Sequence, residues 1–223
     1  MRSVIDSAFS TMNSYIVEHS RRAGTALQEG VDAARTHAEE NFLPAPGVAV
    51  ASLLGTLAAA GASPHGAVAV TPAAGVVGLH ILHALPEKAT LTCIDPEAEH
   101  QAAAREAFKT AGYTGSRARF LTARPLDVMG RLASGSYHLV YADVAPVELS
   151  ALVDAAWPLL APGGTLVIAD SLLDGTVADE TRRDRDTEAA RAAGGDVDKL
   201  ADNEGALVTR LPLDGGITLV TRR

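Results

Sequence analysis

Apolar residues in this chain fall into short continuous runs, and the segments between the runs have helical spacing. Runs of this length, bounded by turn residues, are typical of strands buried on both faces of a sheet. They predict strands at 67–71, 90–94, 117–121, Tyr137–Asp143 and Thr165–Ala169. The intervening segments predict helices at 75–85, 97–111, 125–133 and 147–160. Because strands and helices alternate, we expect a parallel sheet with helices on both faces.

The two ends of the chain depart from this alternation. Before the first strand, the pattern predicts helices at 3–18, 22–40 and 47–60. After the fifth strand it predicts a polar helix at 178–193, a loop rich in glycine and aspartate, and a hairpin of Ala206–Leu213 with Ile217–Arg222. We therefore expect a doubly wound, mostly parallel α/β sheet of seven strands with an antiparallel C-terminal hairpin. Residues 1–46 would form an N-terminal helical extension and residues 47–223 the α/β domain.

The segment from Val68 to Asp95 carries the clearest functional pattern. It predicts a strand, a tight turn, a helix and a second strand that ends in an acid twenty residues after Gly75. Such a unit binds a nucleotide-like ligand across its first turn, with the acid on a ribose hydroxyl. However, Thr71 and Ala73 stand where glycine would let the backbone approach a ligand closely.

Composition and charge exclude several other classes of function. The net charge of −8 leaves no basic stripe for nucleic acid. The only cysteine, Cys93, rules out an intramolecular disulfide. The longest apolar run, 47–62, is shorter than a membrane span, and residues 1–20 hold no apolar signal-peptide core. We expect a cytoplasmic protein that binds neither nucleic acid nor membrane.

Four segments in a fixed order resemble one family of enzymes. They are Asn41–Gly47, Ile94–Gln101, Gly135–Asp143 and Leu160–Ile168. Their order and spacing resemble the class I S-adenosylmethionine-dependent methyltransferases, and more closely the bacterial O-methyltransferases related to the catechol and caffeoyl-CoA enzymes. The resemblance implies S-adenosylmethionine as cofactor, a Rossmann-like fold and a homodimer. It also implies methyl transfer to a hydroxyl of a small, catechol-like acceptor.

The resemblance also implies a set of cofactor-binding residues. Asp95 would hold the ribose, although an acid followed by Pro96 is also a common start of a helix. The turn at Ala123–Pro125 would line the adenine pocket, and the Thr71–Gly75 turn would hold the methionine end. The implied cofactor contacts are Phe42, Thr71, Ala73, Gly75, Val77, Asp95, Pro96, Arg124, Pro125 and Asp143.

A divalent metal is a further implication of the resemblance. In catechol-type enzymes two carboxylates and an amide hold Mg²⁺ beside the acceptor, and the matching positions here are Asp143, Asp170 and Ser171. A hydroxyl in place of the amide is a weaker ligand, so we expect appreciable Mg²⁺ binding only with a catechol-like ligand present. Alternatively, an alignment shifted by one residue puts Asp170 in the amide position and Ala169 in place of an acid, or the two carboxylates are strand ends that are solvated or cap helices. The family's catalytic lysine falls on Pro146, so no catalytic residue is assigned.

Two functional hypotheses remain open at this point. An active O-methyltransferase is favoured by Asp95 and Asp143. A catalytically silent, methyltransferase-like binding or dimerisation module is favoured by Ala69, which replaces the family's acid, and by Thr71 and Ala73 in the turn. A dehydrogenase fits less well, because a dinucleotide-binding turn normally retains those glycines.

Overall fold

The fold is a single seven-stranded sheet covered by helices on both faces. The computed structural model describes residues 2–20, 25–61 and 65–223, with side chains of the first helix from residue 8. The strand order is β3-β2-β1-β4-β5-β7-β6, with β7 antiparallel to β5 and β6. This order confirms the predicted fold class. The strands are β1 (Gly66–Val70), β2 (Leu91–Asp95), β3 (Ala118–Thr122), β4 (Tyr137–Ala142), β5 (Leu160–Ile168), β6 (Leu207–Leu211) and β7 (Ile217–Thr221).

Two hydrophobic layers hold the helices to the sheet. The helices are α1 (Arg2–Ser20), α2 (Ala26–Glu40), α3 (Val48–Ala59), α4 (Ala74–Ala84), α5 (Ala98–Thr110), α6 (Pro125–Val128), α7 (Leu149–Ala156) and α8 (Arg185–Glu204). Helices α2 to α5 pack on one face, over residues such as Ala69 and Leu139. Helices α7 and α8 pack on the other face, over residues such as Val70 and Val140. Side chains alternate between these layers along each strand, as the pleat requires.

Several element boundaries differ from the prediction. The helix predicted at 147–160 ends at Ala156, because Pro158 cannot continue it, and a 3-10 turn leads directly into β5 at Leu160. The Pro162–Gly164 segment lies inside β5 rather than before it, where the Gly163 N–H donates to the Arg222 carbonyl at 2.7 Å. The helix predicted at 125–133 is one short turn, α6, followed by a 3-10 turn.

The polar helix after β5 was predicted too early in the chain. It runs from Arg185 to Glu204, so the predicted loop after residue 193 is wrong. Asp184 begins it by accepting the Thr187 N–H at 3.0 Å, and Gly205, at φ 68°, ends it. The buried stripe of Ala190, Ala193 and Val197 packs on the sheet, so the helix continues through Gly194 and Gly195.

The N-terminal helices belong to the same packed body as the sheet. Val31 and Ala34 of α2 join the core formed with α4 and α5. Thr25 caps α2, while residues 22–24 of the predicted helix lie outside the described residues. The domain boundary at residue 46 stays a prediction. Within the described ranges, no helix combines the length and the apolar character that crossing a membrane requires.

Candidate active site

The carboxyl ends of the parallel strands meet at one edge of the sheet, and Asp95 ends β2 there. Its Oδ1 accepts the Glu97 N–H at 2.9 Å and lies 3.0 Å from His100 Nδ1. Burial raises the pKa of the Asp95 carboxyl, against the opposing effects of the Glu97 N–H and His100. Asp95 Oδ2 makes no hydrogen bond with a described residue, so it is left for a ligand while Oδ1 orders the start of α5.

The turn after β1 is closed by the side chain of Thr71. Its Oγ1 accepts the Ala73 N–H at 3.1 Å and donates to Asp143 Oδ2 at 3.3 Å. At a position where the family has glycine, the hydroxyl therefore ties the turn to the end of β4. The Ala73 N–H is satisfied inside the protein, and Pro72 has no N–H to offer.

Of three other predicted cofactor contacts, two are packed inside the protein and one is exposed. A Cβ added at Gly75 would lie 2.9 Å from Ala34 Cβ, so this glycine lets α2 pack closely on α4. Val77, on α4, is fully buried in the core. Phe42 has a φ of 53°, is 95% exposed and stands just past the end of α2. The cofactor roles of these three residues stay predictions.

The remaining predicted contacts lie at the ends of β2 and β3. Pro96 is exposed directly after Asp95. Arg124 precedes α6, and Pro125 is its first residue, a position that suits proline because no N–H is required there. The structure thus brings Asp95, Arg124 and Pro125 to the ends of neighbouring strands, as predicted, without testing their contacts with a ligand.

Asp143 and Asp170 follow β4 and β5, which are paired in the sheet. Burial raises the pKa of the Asp143 carboxyl to about 6; the bond from Thr71 opposes this rise and the charge of Asp170 adds to it. Burial also raises the pKa of Asp170, and Asp174 adds to that shift. Asp170 adopts a φ of 47°, in the left-handed region. The two carboxylates therefore lie close enough to influence one another.

Both carboxylates open into a cavity of about 430 Å³ at this edge of the sheet. Tyr141 lies in β4 two residues before Asp143, so both side chains project toward the same face of the sheet. Asp214, in the β6–β7 turn, accepts the Gly47 N–H at 2.9 Å and joins the 44–47 segment to the hairpin. The cavity is lined by Pro44, Ala45, Pro46, Gly47, Tyr141, Asp143, Ala169, Asp170, Asp214, Gly215 and Ile217.

Sequence reasoning missed Tyr141 and Asp214 as part of a site. The period of a strand could have paired Tyr141 with Asp143, because residues two apart share a face. No local pattern could have revealed the contact between Gly47 and Asp214, which are 167 positions apart.

The predicted metal ligands do not form a complete set. The Ser171 hydroxyl donates to the Gly216 carbonyl at 3.1 Å and lies 2.8 Å from Thr218 Oγ1, because the antiparallel β7 runs beside it. In the part of the chain that the structure describes, no three His, Cys, Asp or Glu side chains group as metal ligands. Mg²⁺ prefers six oxygen ligands in octahedral geometry, and with Ser171 engaged the protein would supply only two carboxylates, so the metal site stays a prediction.

Comparisons with known proteins agree with this arrangement. Residues 73–171 match the model of a methyltransferase domain. A Mycolicibacterium vanbaalenii protein assigned to the O-methyltransferases is 35% identical over 192 residues, covering 86% of this chain and 83% of that protein. A Corynebacterium glutamicum crystal structure is 53% identical with a TM-score of 0.89, covering 96% of this chain and 97% of the other.

A more distant solved structure shares the fold. The O-methyltransferase TomG of Streptomyces achromogenes, involved in tomaymycin synthesis and crystallised with S-adenosylmethionine, is 20% identical with a TM-score of 0.80. The match covers 95% of this chain and 96% of TomG. Because the curated relatives exceed 30% identity over most of both chains, this protein belongs to the O-methyltransferase family.

Proposed function

We propose that this protein transfers the methyl group of S-adenosylmethionine to a hydroxyl oxygen of a small phenolic acceptor. The observation that carries the proposal is the row of polar groups along three adjacent strands. Asp95 ends β2, Thr71 follows β1, and Asp143 follows β4 beside the cavity. Membership of the O-methyltransferase family supports the same reaction.

The cofactor would lie across the ends of these three strands. Asp95 Oδ2 would accept the ribose hydroxyls, a bond strengthened by the carboxylate charge. Arg124 and Pro125 would flank the adenine. The methionine carboxylate would lie at the start of α4, where Ala74 and Gly75 are the first two residues and their N–H groups have no partner within the helix. TomG, which shares this fold, was crystallised with the same cofactor.

The residues of this chain contribute mainly by positioning. When bound, S-adenosylmethionine supplies an electrophilic methyl group on a positively charged sulfur. The cavity walls would hold the acceptor oxygen in line with that group, and such orientation can account for much of the lowering of the barrier in transfer reactions. Pro146 stands at the position of the family's catalytic lysine. We therefore derive no step from a lysine base or from a metal ion.

The turn after β1 also favours a second candidate function. Thr71 occupies the Ala73 N–H, and Pro72 has none, so the turn offers few backbone donors to a cofactor. A methyltransferase-like module that binds a ligand without transferring a methyl group would have the same geometry. Binding of the cofactor without product formation distinguishes this module from an enzyme.

A methyl-transfer assay tests the proposed function. The purified protein is incubated with S-adenosylmethionine and a panel of phenols and catechols, and products heavier by one methyl group are sought by mass spectrometry. We expect product with the wild type and with Asp202→Ala, an exposed acid on α8, and strongly reduced product with Asp95→Ala. Cofactor binding without any methylated product would contradict methyl transfer and favour the binding module.

We also propose that the protein is a cytoplasmic homodimer. The described part of α1 exposes Phe9, Met12 and Tyr15 at a spacing that places them along one side of the helix. The single cysteine, Cys93, is a buried free thiol, as is usual in a reducing compartment. Light scattering should give the mass of a dimer for the wild type. It should give the mass of a monomer for the variant that combines Phe9→Ser, Met12→Ser and Tyr15→Ser. A monomeric wild type would contradict the dimer.

A further inference from the structure

The cavity at the sheet edge is lined by acids without a balancing base. Asp143, Asp170 and Asp214 contribute carboxylates, and no Lys, Arg or His is among its lining residues. Asp143 is half-buried, which strengthens the field of its charge, whereas Asp170 and Asp214 are exposed and better screened by water. The lining therefore favours an occupant that carries positive charge.

The three carboxylates differ in how far the protein neutralises them. Asp214 accepts the Gly47 N–H and is attracted to Arg35, whose Nη1 donates to the Pro46 carbonyl at 3.1 Å outside the lining. Asp143 has one hydrogen bond, from Thr71. The Asp170 carboxylate makes no hydrogen bond or ion pair with a described residue. The uncompensated charge is therefore concentrated at Asp143 and Asp170.

A buried tyrosine on the same wall also lacks a partner. Tyr141 is 1% exposed and lines the cavity, and no described residue hydrogen-bonds its hydroxyl. Buried polar side chains nearly always have a hydrogen-bond partner. The hydroxyl is thus an independent sign that the cavity receives a polar ligand, and this ligand would supply the missing partner.

The protein supplies few ligands for a metal ion here. The Ser171 hydroxyl is engaged by the hairpin, so a divalent cation would have only the Asp143 and Asp170 carboxylates and would take its other ligands from water or the acceptor. An ammonium group does not need those additional ligands. It is a compact charge with three donors and can bond two carboxylates at once.

We infer that the acceptor is a hydroxylated compound bearing a protonated amine, with its ammonium group against Asp170 and Asp143 and a polar group bonded to Tyr141. The inference rests on the proposed function and names the substrate class of its acceptor cavity. It distinguishes this chain from an enzyme for acidic acceptors, because a carboxylate in this cavity would meet like charge and no balancing cation.

Three probes with one ring and different charges test the inference. They are 3,4-dihydroxybenzylamine, 4-methylcatechol and 3,4-dihydroxybenzoate, titrated calorimetrically into protein saturated with S-adenosylhomocysteine and then compared as methyl acceptors. We expect the amine to bind at least about tenfold more tightly than the neutral probe, the ratio that one hydrogen bond to a charged group supplies. The acid should bind most weakly.

Three variants assign the preference to residues. Asp170→Asn should remove the advantage of the amine and leave the neutral probe unchanged; asparagine tolerates the φ of 47° at this position. Asp202→Asn removes one exposed charge on α8 and should change neither the advantage of the amine nor the affinity for the neutral probe. Tyr141→Phe should weaken the binding of all three probes by a similar factor, because it removes an uncharged hydroxyl donor.

The outcomes separate the inference from the proposed function. Failure of the wild type to bind S-adenosylhomocysteine, with no product from any probe, would contradict both. Binding of S-adenosylhomocysteine without a preference for the amine, or with none of the probes bound, would overturn only the inference. The inference would also be overturned if Asp170→Asn weakened the binding of S-adenosylhomocysteine as strongly as the binding of the amine. A chelator that abolished the preference for the amine would overturn it as well.

Discussion

At the scale of single residues, strand-end position predicted the candidate site better than residue type did. Asp95 lies where the pattern of a strand followed by an acid placed it, and it serves both the start of α5 and the site edge. Thr71 was interpreted as an obstacle to a ligand, but its hydroxyl bridges the turn and Asp143. Ser171 follows β5 as predicted, yet its hydroxyl belongs to the hairpin. Sequence position does not reveal where a side chain is directed by a distant strand.

A prediction at this scale concerns Asp143 and pH. The pKa of its carboxyl is raised to about 6 by burial, against about 3.9 for an unfolded aspartate. The folded state therefore binds this proton more tightly, and the free energy of unfolding falls as pH rises from about 4 to about 6. Asp143→Asn removes this dependence and should be more stable than the wild type above pH 6, by about 1–3 kcal/mol.

Urea unfolding across this pH range measures the effect. The difference between Asp143→Asn and the wild type should be largest near neutral pH and should vanish towards about pH 4, where the wild-type carboxyl is protonated in both states. A difference that does not change with pH would show that the folded protein does not raise the pKa of Asp143.

At the scale of elements, periodicity located strands and most helices, whereas helix ends depended on tertiary contacts. Helix α8 passes through Gly194 and Gly195, which in sequence resembled a loop, because its buried alanine and valine stripe packs on the sheet. Conversely, the apolar pattern before β5 predicted a longer helix than Pro158 permits. Propensity is a weak guide at such places, since packing decides the outcome.

Replacing two helical glycines by alanine should change the stability of the protein in opposite directions. Nothing lies within 4 Å of a Cβ added at Gly195, so Gly195→Ala should stabilise the protein by about 0.5–1 kcal/mol through helix propensity. The Cβ added at Gly75 would meet Ala34 Cβ at 2.9 Å, so Gly75→Ala should destabilise it by about 1–3 kcal/mol. Chemical denaturation compares the two, and equal effects would contradict the close packing of α2 on α4.

At the scale of the whole molecule, the alternation of elements predicted the sheet, but the cavity comes from long-range contacts. The resemblance implied the site at the edge of β1, β2 and β4. The cavity walls add the segment before α3 and the β6–β7 turn, held together by Gly47 and Asp214. Chain segments so far apart in sequence leave no shared local pattern, so this half of the site required the folded structure.

Hydrogen exchange at Gly47 tests this long-range closure. Asp214 adopts a φ of 50°, which both glycine and asparagine tolerate. Asp214→Gly removes the acceptor of the Gly47 N–H, so the amide of Gly47 should exchange faster, whereas Asp214→Asn retains an acceptor oxygen and should protect it. Equal protection in both variants would show that another group holds the 44–47 segment.

Calorimetric titration with S-adenosylhomocysteine tests the central claim, that the edge of β1, β2 and β4 is a cofactor site, most directly. The account predicts that the wild type and Asp202→Ala bind it alike. Asp95→Ala should bind it more weakly by about 1.5–3 kcal/mol, the range for hydrogen bonds to a charged group. The fold should survive, because the lost bond from the Glu97 N–H is comparable to a lost helix cap, which costs about 1 kcal/mol. Absence of binding by the wild type, or equal affinity in Asp95→Ala, would contradict the account.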